Sequence, residues 1–212
     1  MKVILFGATG WVGGDIATEL VKRGHEVVGV ARSAAKVPAG VEAVAGSVHD
    51  PDFLHRVTEG ADAIAVAIPA RPVDGKSLLD AVPSLLEVAD ERGLRLGIVG
   101  GAGGLDVKPG GPRLVDDPDF PEAYKPEALS SLAALEALRE STTSADWFFL
   151  SPSAEFGSHT PGEATGVYRV GDDELLTDAN GRSFISGADY AKAFVDELET
   201  PTHHRQRFTV GY

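Results

Sequence analysis

The sequence has no cysteine among its 212 residues. That excludes a disulfide framework, a thiolate nucleophile and any cysteine-ligated metal site. Positive charge is scarce as well: 19 Lys and Arg stand against 32 Asp and Glu, for a net charge of -13. Such a chain repels nucleic acid and anionic membrane surfaces unless a basic patch intervenes, and its Lys and Arg residues form none. No nucleic-acid partner and no membrane partner are therefore expected. No apolar run approaches the length that spans a bilayer. The N-terminus enters an apolar strand with no signal peptide ahead of it, so a cytoplasmic protein is the expectation. Metal-ligand spacing is missing too: His203 and His204 are neighbours in a turn and His25 follows a helix end, so no metal site is expected. No internal repeat is visible. The length suits one well-buried α/β domain over residues 1–212 and is too short for two.

What is present starts at the opening. Lys2 is followed by Val3, Ile4, Leu5 and Phe6, an apolar, partly β-branched run of the kind that forms a strand buried on both faces. Glycines follow at Gly7, Gly10 and Gly13. Val12, Ile16, Ala17, Leu20 and Val21 then mark one face of a helix that stops at Gly24. Val27 to Ala31 is a second apolar strand. Strand, glycine turn, helix and strand make a βαβ unit, with the glycines where a dinucleotide pyrophosphate would rest on the helix N-terminus. A glycine at the strand end permits a sharp turn, and one in the turn lets backbone amides approach phosphate. One in the first helical turn lets helix and sheet pack closely. Thr9 adds a hydroxyl, and Trp11 and Val12 add backbone N–H groups. The spacing is Gly-x-x-Gly-x-x-Gly rather than the Gly-x-Gly-x-x-Gly fingerprint, so the motif's weight comes from its place between strand and helix.

GATGWVG followed by RGHEVVGVAR resembles the atypical short-chain dehydrogenase/reductases, in particular the small NAD(P)H-binding proteins described as NADH-flavin reductases. Relatives of that subgroup include biliverdin reductase B and the NmrA-like regulators. The resemblance runs nearly the whole chain, through GGAGGLDV at Gly100 to Val107, LSPSAEF at Leu150 to Phe156 and the closing FTVGY. It implies a Rossmann-type, doubly wound, mostly parallel sheet that binds NAD(P)H. It also implies a small planar acceptor such as a flavin or quinone, with flavin as substrate rather than bound cofactor.

At the end of the second strand an acidic side chain would accept hydrogen bonds from the adenosine ribose of NAD, whereas an arginine pairs with the extra phosphate of NADP. Arg32 holds that place, Ser33 and Lys36 stand close behind, and no carboxylate competes. NADP(H) is therefore expected to be preferred, with NAD(H) possible. The plainer alternative is a solvated arginine after a strand.

The alternation continues. Val41 to Ala45 reads as a third strand, and the turn Gly46 to Asp50 leads into a helix over Pro51 to Val57. In related proteins this turn lies against the adenine, often with an aspartate directly after the glycine. Here Ser47 and Val48 occupy it, and Asp50 either joins that contact or caps the helix ahead of Pro51. Asp62 to Ile68 is a fourth strand. The following loop, with Ala67, Ile68 and Pro69, would line the cofactor's ribose and nicotinamide. Gly75 to Arg92 has helical spacing, with Pro83 expected to kink or break it. Arg95 to Val99 is the fifth strand. This rhythm predicts a parallel sheet covered on both faces, with its crevice at the strands' C-terminal ends.

Many short-chain dehydrogenases place a catalytic serine after the fifth strand, yet this chain has no hydroxyl from Gly97 to Pro112. Gly100, Gly101 and Ala102 form either a flexible turn or a close backbone approach to the nicotinamide half, and their position favours the second. The proline- and acid-rich stretch 109–126 reads as a loop covering the site. Tyr124 and Lys125 within it are adjacent, whereas the familiar Tyr-x-x-x-Lys relay needs both side chains one helical turn apart. Either residue could still touch cofactor or substrate, or simply begin the helix at 127–140.

After a sixth strand, Asp146 to Leu150, the segment Ser151, Pro152, Ser153, Ala154, Glu155 and Phe156 leaves toward the crevice. Glu155 could orient a substrate and Phe156 could stack on a flat ring, with ordinary surface and packing roles as the alternatives. His159 is read as a solvated loop histidine. Val167 to Val170, Leu175 to Thr177 and Ser183 to Ile185 look like short strands, and Asn180-Gly181 like a tight turn. Ser186 and Asp189 have capping-box spacing ahead of a helix through Glu199, which gives Asp189 a structural role. Phe208 to Tyr212 closes the chain as a strand. Residues 151–186 would form a small substrate lobe.

Three functions fit. The first is an NAD(P)H-dependent reductase acting by direct hydride transfer to a planar acceptor, since hydride chemistry needs few acid/base groups from the protein. The second, favoured by the missing relay, is a non-catalytic NAD(P) sensor of NmrA-like type. An epimerase or dehydratase is third, because it would want an acid/base pair that the spacing does not supply. Monomer and homodimer are both left open.

Overall fold

The computed structural model describes residues 1–32 and 37–212, so the expectations placed on Ser33 and Lys36 lie outside the described residues. The opening unit forms as its pattern requires: β1 (Lys2–Phe6), α1 (Trp11–Lys22) and β2 (Glu26–Ala31). The chain continues through β3 (Glu42–Ala45), α2 (Pro51–Val57), β4 (Ala63–Val66), α3 (Leu78–Arg92) and β5 (Arg95–Val99). It ends with α4 (Lys125–Glu140), β6 (Trp147–Ser151), β7 (Arg169–Gly171), α5 (Gly187–Glu199) and β8 (Gln206–Gly211).

The strands form one eight-stranded sheet in the order β3-β2-β1-β4-β5-β6-β8-β7. Every neighbouring pair is parallel except β7 with β8. This is a Rossmann-type, doubly wound α/β arrangement. The chain runs outward from β1 to β3 and then crosses back to β4, so the order reverses between β1 and β4. A crevice opens beyond the strand ends at such a switch point.

Side-chain alternation divides the core into two layers. Ile4, Phe6, Ile64, Val66, Leu96, Ile98 and Phe149 face α3 and α4, while Val3, Leu5, Ala63, Ala65, Phe148 and Leu150 face α1 and α5. Both layers are buried, which is why these strands read as continuous apolar runs rather than alternating ones. Among the described residues no helix is long and apolar enough to cross a membrane.

Three local expectations are corrected. α3 begins at Leu78 rather than near Gly75, because Asp74 and Gly75 have φ values of 53° and 77° and make a tight turn. Ser77 then starts the helix, its N–H and hydroxyl both 2.7 Å from the Asp80 carboxylate. Pro83 neither ends nor breaks α3, whose buried face of Leu78, Val82, Leu85, Leu86 and Ala89 outweighs one lost hydrogen bond. Of the three short strands expected after residue 166, only β7 forms. Leu175 instead donates its N–H to the Asp106 carbonyl at 2.9 Å, and Phe184 makes a single bridge to Glu155. Asp50 caps α2, accepting from the Phe53 N–H at 3.0 Å.

Candidate functional site

A groove of about 320 Å³ lies beyond the C-terminal ends of β1, β2 and β4. It is lined by Gly7, Thr9 and Gly10 after β1, by Arg32 after β2, by Ser47 and Val48 after β3, and by Ala67, Ile68 and Pro69 after β4. Residues far apart in sequence meet here because parallel strands place their C-terminal loops along one edge of the sheet.

The three motif glycines do three different things. Gly7 has φ +87°, and a methyl group built on it would lie 2.3 Å from the Ala67 carbonyl oxygen. Only glycine takes that backbone shape at that separation. A methyl group on Gly13 would collide with the Gly7 carbonyl oxygen, so the start of α1 rests directly on the turn below it. At Gly10 such a group would meet, among the described residues, Gly7 O at 3.3 Å and Ala67 O at 4.0 Å. That is a tight contact with the turn's own backbone, and without a side chain the Gly10 backbone lines the groove bare.

Gly10 is also the residue before the first turn of α1, which has no side-chain cap and no acidic residue. The N–H groups of Trp11, Val12 and Gly13 have no earlier turn to bond to, and with the helix dipole they favour an anion. Trp11 packs its ring on Phe156 at 5.0 Å.

Several lining residues are not among those the sequence pattern assigned to the site: Phe6, Val30, His49, Val73, Asp74 and Lys76. Burial, with a smaller contribution from Lys76, holds the His49 imidazole below its ordinary range, against the pull of Asp80. Its Nδ1 is buried with no protein hydrogen-bond partner among the described residues. Val73 and Lys76 exchange backbone hydrogen bonds of 2.8 and 3.2 Å around the Asp74-Gly75 tip. An Asp-Gly pair is a known signal for a two-residue hairpin turn, so this turn was legible in principle. Asp74 accepts from Arg32 Nη1 at 2.5 Å. The expectation that no carboxylate competes for Arg32 is thereby corrected: the competitor arrives from a loop 42 residues later.

The remaining candidates lie toward β5 and β6. Methyl groups on Gly100 and Gly101 would meet the Phe149 ring at 2.1 Å and the Ser131 hydroxyl at 3.0 Å, so the protein's own packing already occupies those positions. Ala102 opens a short 3-10 turn. Ser151 is buried and donates to the Gly101 carbonyl at 3.0 Å, and Pro152 is buried behind it. Phe156 sits between Trp11 and Tyr190. Burial pushes the Tyr190 hydroxyl well above its ordinary range, and it donates to the Leu150 carbonyl at 2.7 Å.

Tyr124 is half exposed and stacks on His159 at 6.1 Å. Lys125 is paired with Glu122, and Glu155 with Arg182 at 2.8 Å. Among the described residues none of the 109–126 stretch lines this groove. Instead the stretch packs onto the exit of β5, with Val115 buried beside Gly103. Asp189 accepts from Thr165 N at 2.7 Å, Gly166 N at 3.0 Å and Tyr212 Oη at 2.5 Å, in addition to its place beside the Ser186 cap.

The sequence matches the model of the family described as NAD(P)H-binding over residues 7–201. It is 39% identical to YwnB of Bacillus subtilis, over 99% of this chain and 98% of that one. A crystal structure from Streptococcus pneumoniae, provisionally described as an NADH-flavin reductase, superposes with a TM-score of 0.87 at 34% identity, covering 100% of this chain and 99% of the other. A Bacteroides thetaiotaomicron structure, provisionally described as an epimerase, gives 0.87 at 36% identity, covering 100% and 96%.

Proposed function

The chain belongs to the NAD(P)H-binding family, and from that premise we propose that it is an NAD(P)H-dependent oxidoreductase that passes hydride to a small planar acceptor such as a flavin or quinone. The observation that carries the reading is the seat at Gly10: a bare glycine backbone lining the groove and an uncapped helix N-terminus at the sheet's switch point. Gly10, Trp11 and Val12 would hold the pyrophosphate. Ser47 and Val48 would border the adenine, and Arg32 the adenosine ribose. Ala67, Ile68 and Pro69 would supply an apolar wall. NADPH is preferred on this reading, because Arg32 and Lys76 both line the adenosine end of the groove.

Bound reduced nicotinamide supplies the hydride. The chain's part is to bind and orient it and to keep water from the acceptor face. The acceptor would lie toward Gly100, Ser151 and Phe156, bordered by the 151–186 lobe, with Tyr124 and His159 at its rim. No proton relay is needed from Lys125 or Glu155, whose charges are paired with Glu122 and Arg182. That pairing also favours a second reading, a sensor that binds the coenzyme without turning it over.

Purified protein with NADPH and a panel of FMN, riboflavin, quinones and linear tetrapyrroles, followed at the nicotinamide absorbance, tests the two. Acceptor-dependent oxidation supports the reductase. Tight binding of both redox forms with no turnover supports the sensor, and no binding of either form removes both.

A further inference from the structure

We propose that Asp74 sets the balance between the two coenzymes, by competing with the adenosine 2′-phosphate of NADP(H) for Arg32. The inference rests on the coenzyme reading above and deepens it.

Residues 70–77 form a flap beside the groove. Its base is fixed: Glu127, in the first turn of α4, accepts from the N–H groups of Ala70 and Arg71 at 2.6 and 3.2 Å, and Leu78 N donates to Ala70 O at 3.2 Å. Its tip is the Asp74-Gly75 turn, where Asp74 pairs with Arg32, the tip's one ion pair among the described residues. Arg32, Asp74 and Lys76 all line the groove, so the pair lies across its adenosine end.

The side chains of Arg32 and Asp74 are 74% and 79% exposed. An ion pair that open to water is weak and exchanges partners readily. A phosphate dianion offers guanidinium more charge and a better fork than a carboxylate does. A 2′-phosphate would therefore take Arg32 from Asp74 and gain Lys76 from the same turn. The cost is that of breaking the Asp74–Arg32 pair, which the phosphate must do before it can hold the guanidinium. A coenzyme without that phosphate leaves the pair intact. Asp74 thus narrows a preference for NADP(H) that Arg32 and Lys76 would otherwise make wide.

Calorimetry with the full-length protein, titrating NADPH and NADH separately, tests this. In Asp74→Asn the ratio of Kd for NADH to Kd for NADPH is expected to rise about fivefold, equivalent to about 1 kcal/mol, the upper end for an exposed pair. Asp74→Ser, which removes the charge with a different side chain, should move the ratio the same way. In Arg32→Ser/Asp74→Asn the gain over Arg32→Ser alone should vanish. A ratio within about twofold of wild type in both single variants, or a gain that persists without Arg32, overturns the proposal. Wild-type protein that binds neither coenzyme overturns the coenzyme reading itself, a separate and recognisable result.

Discussion

A methyl group built on Gly13 would lie 2.1 Å from the carbonyl oxygen of Gly7. The first turn of α1 is thus pressed onto the strand exit, and the contact is between backbones, which cannot yield as a side chain does. Gly13→Ala is expected to destabilise the fold by about 3 kcal/mol, at the upper end for overpacking. Gly10→Ala behaves differently, since its φ of -74° suits any residue. It should fold with a loss below about 1 kcal/mol and weaken coenzyme binding at least about tenfold. Chemical denaturation and calorimetry on both variants separate packing from binding; wild-type affinity in Gly10→Ala would contradict the assigned seat.

Arg32→Asp should weaken NADPH far more than NADH, because it removes a phosphate partner and places a second carboxylate beside Asp74. Equal losses for the two coenzymes would take Arg32 out of the discrimination.

Trp11 packs on Phe156 at the start of α1, whereas Trp147 is buried within the sheet. Oxidised coenzyme, which accepts little energy from tryptophan, should change the emission of Trp147→Phe and leave that of Trp11→Phe unmoved. A change surviving in Trp11→Phe would argue against a seat on this helix.

Burial opposes the charge of Asp189, but hydrogen bonds from Tyr212, Thr165 and Gly166 outweigh it and hold the carboxyl below its ordinary value of 3.8. A carboxyl depressed in the folded state contributes stability that is complete above the unfolded value and lost as the pH falls through the folded one. Asp189→Asn should therefore cost about 2 kcal/mol at neutral pH. Denaturation curves of the two proteins should converge as the pH falls below 3.8 and through the depressed folded-state value; a constant gap would remove the linkage.

Arg95 Nη2 lies 2.6 Å from Glu197 Oε1, tying β5 to α5, and both side chains are more than nine-tenths buried. Glu197 also accepts from the N–H groups of Thr202 and His203 at 2.9 and 2.8 Å. Glu197→Ala leaves Arg95 with Asp146 and the His203 carbonyl, and should cost about 2 to 3 kcal/mol in urea unfolding. A loss under about 1 kcal/mol would mean that water reaches the pair.

The division between sequence and structure follows the range of the forces involved. Apolar runs, helical periodicity and the Gly7, Gly10 and Gly13 turn are properties of neighbouring residues, so the strand-helix alternation and the first half of the groove were legible from the chain alone. Asp50 before Pro51 and Ser186 before Asp189 were legible as helix starts for the same reason, since capping acts within one turn. Long-range pairings had no such signature. Asp74 meets Arg32 only because the order β2-β1-β4 brings the ends of β2 and β4 to one edge. Glu127 reaches Ala70 from 57 residues away, and the glycines after β5 lie against Phe149 of β6 and Ser131 and Ala128 of α4, contacts set by how β6 pairs and α4 docks. The sequence alone determined that a glycine turn leads from a buried strand into a helix N-terminus; tertiary structure decided which charges surround it, because sheet order rather than chain proximity sets the distances over which charges act.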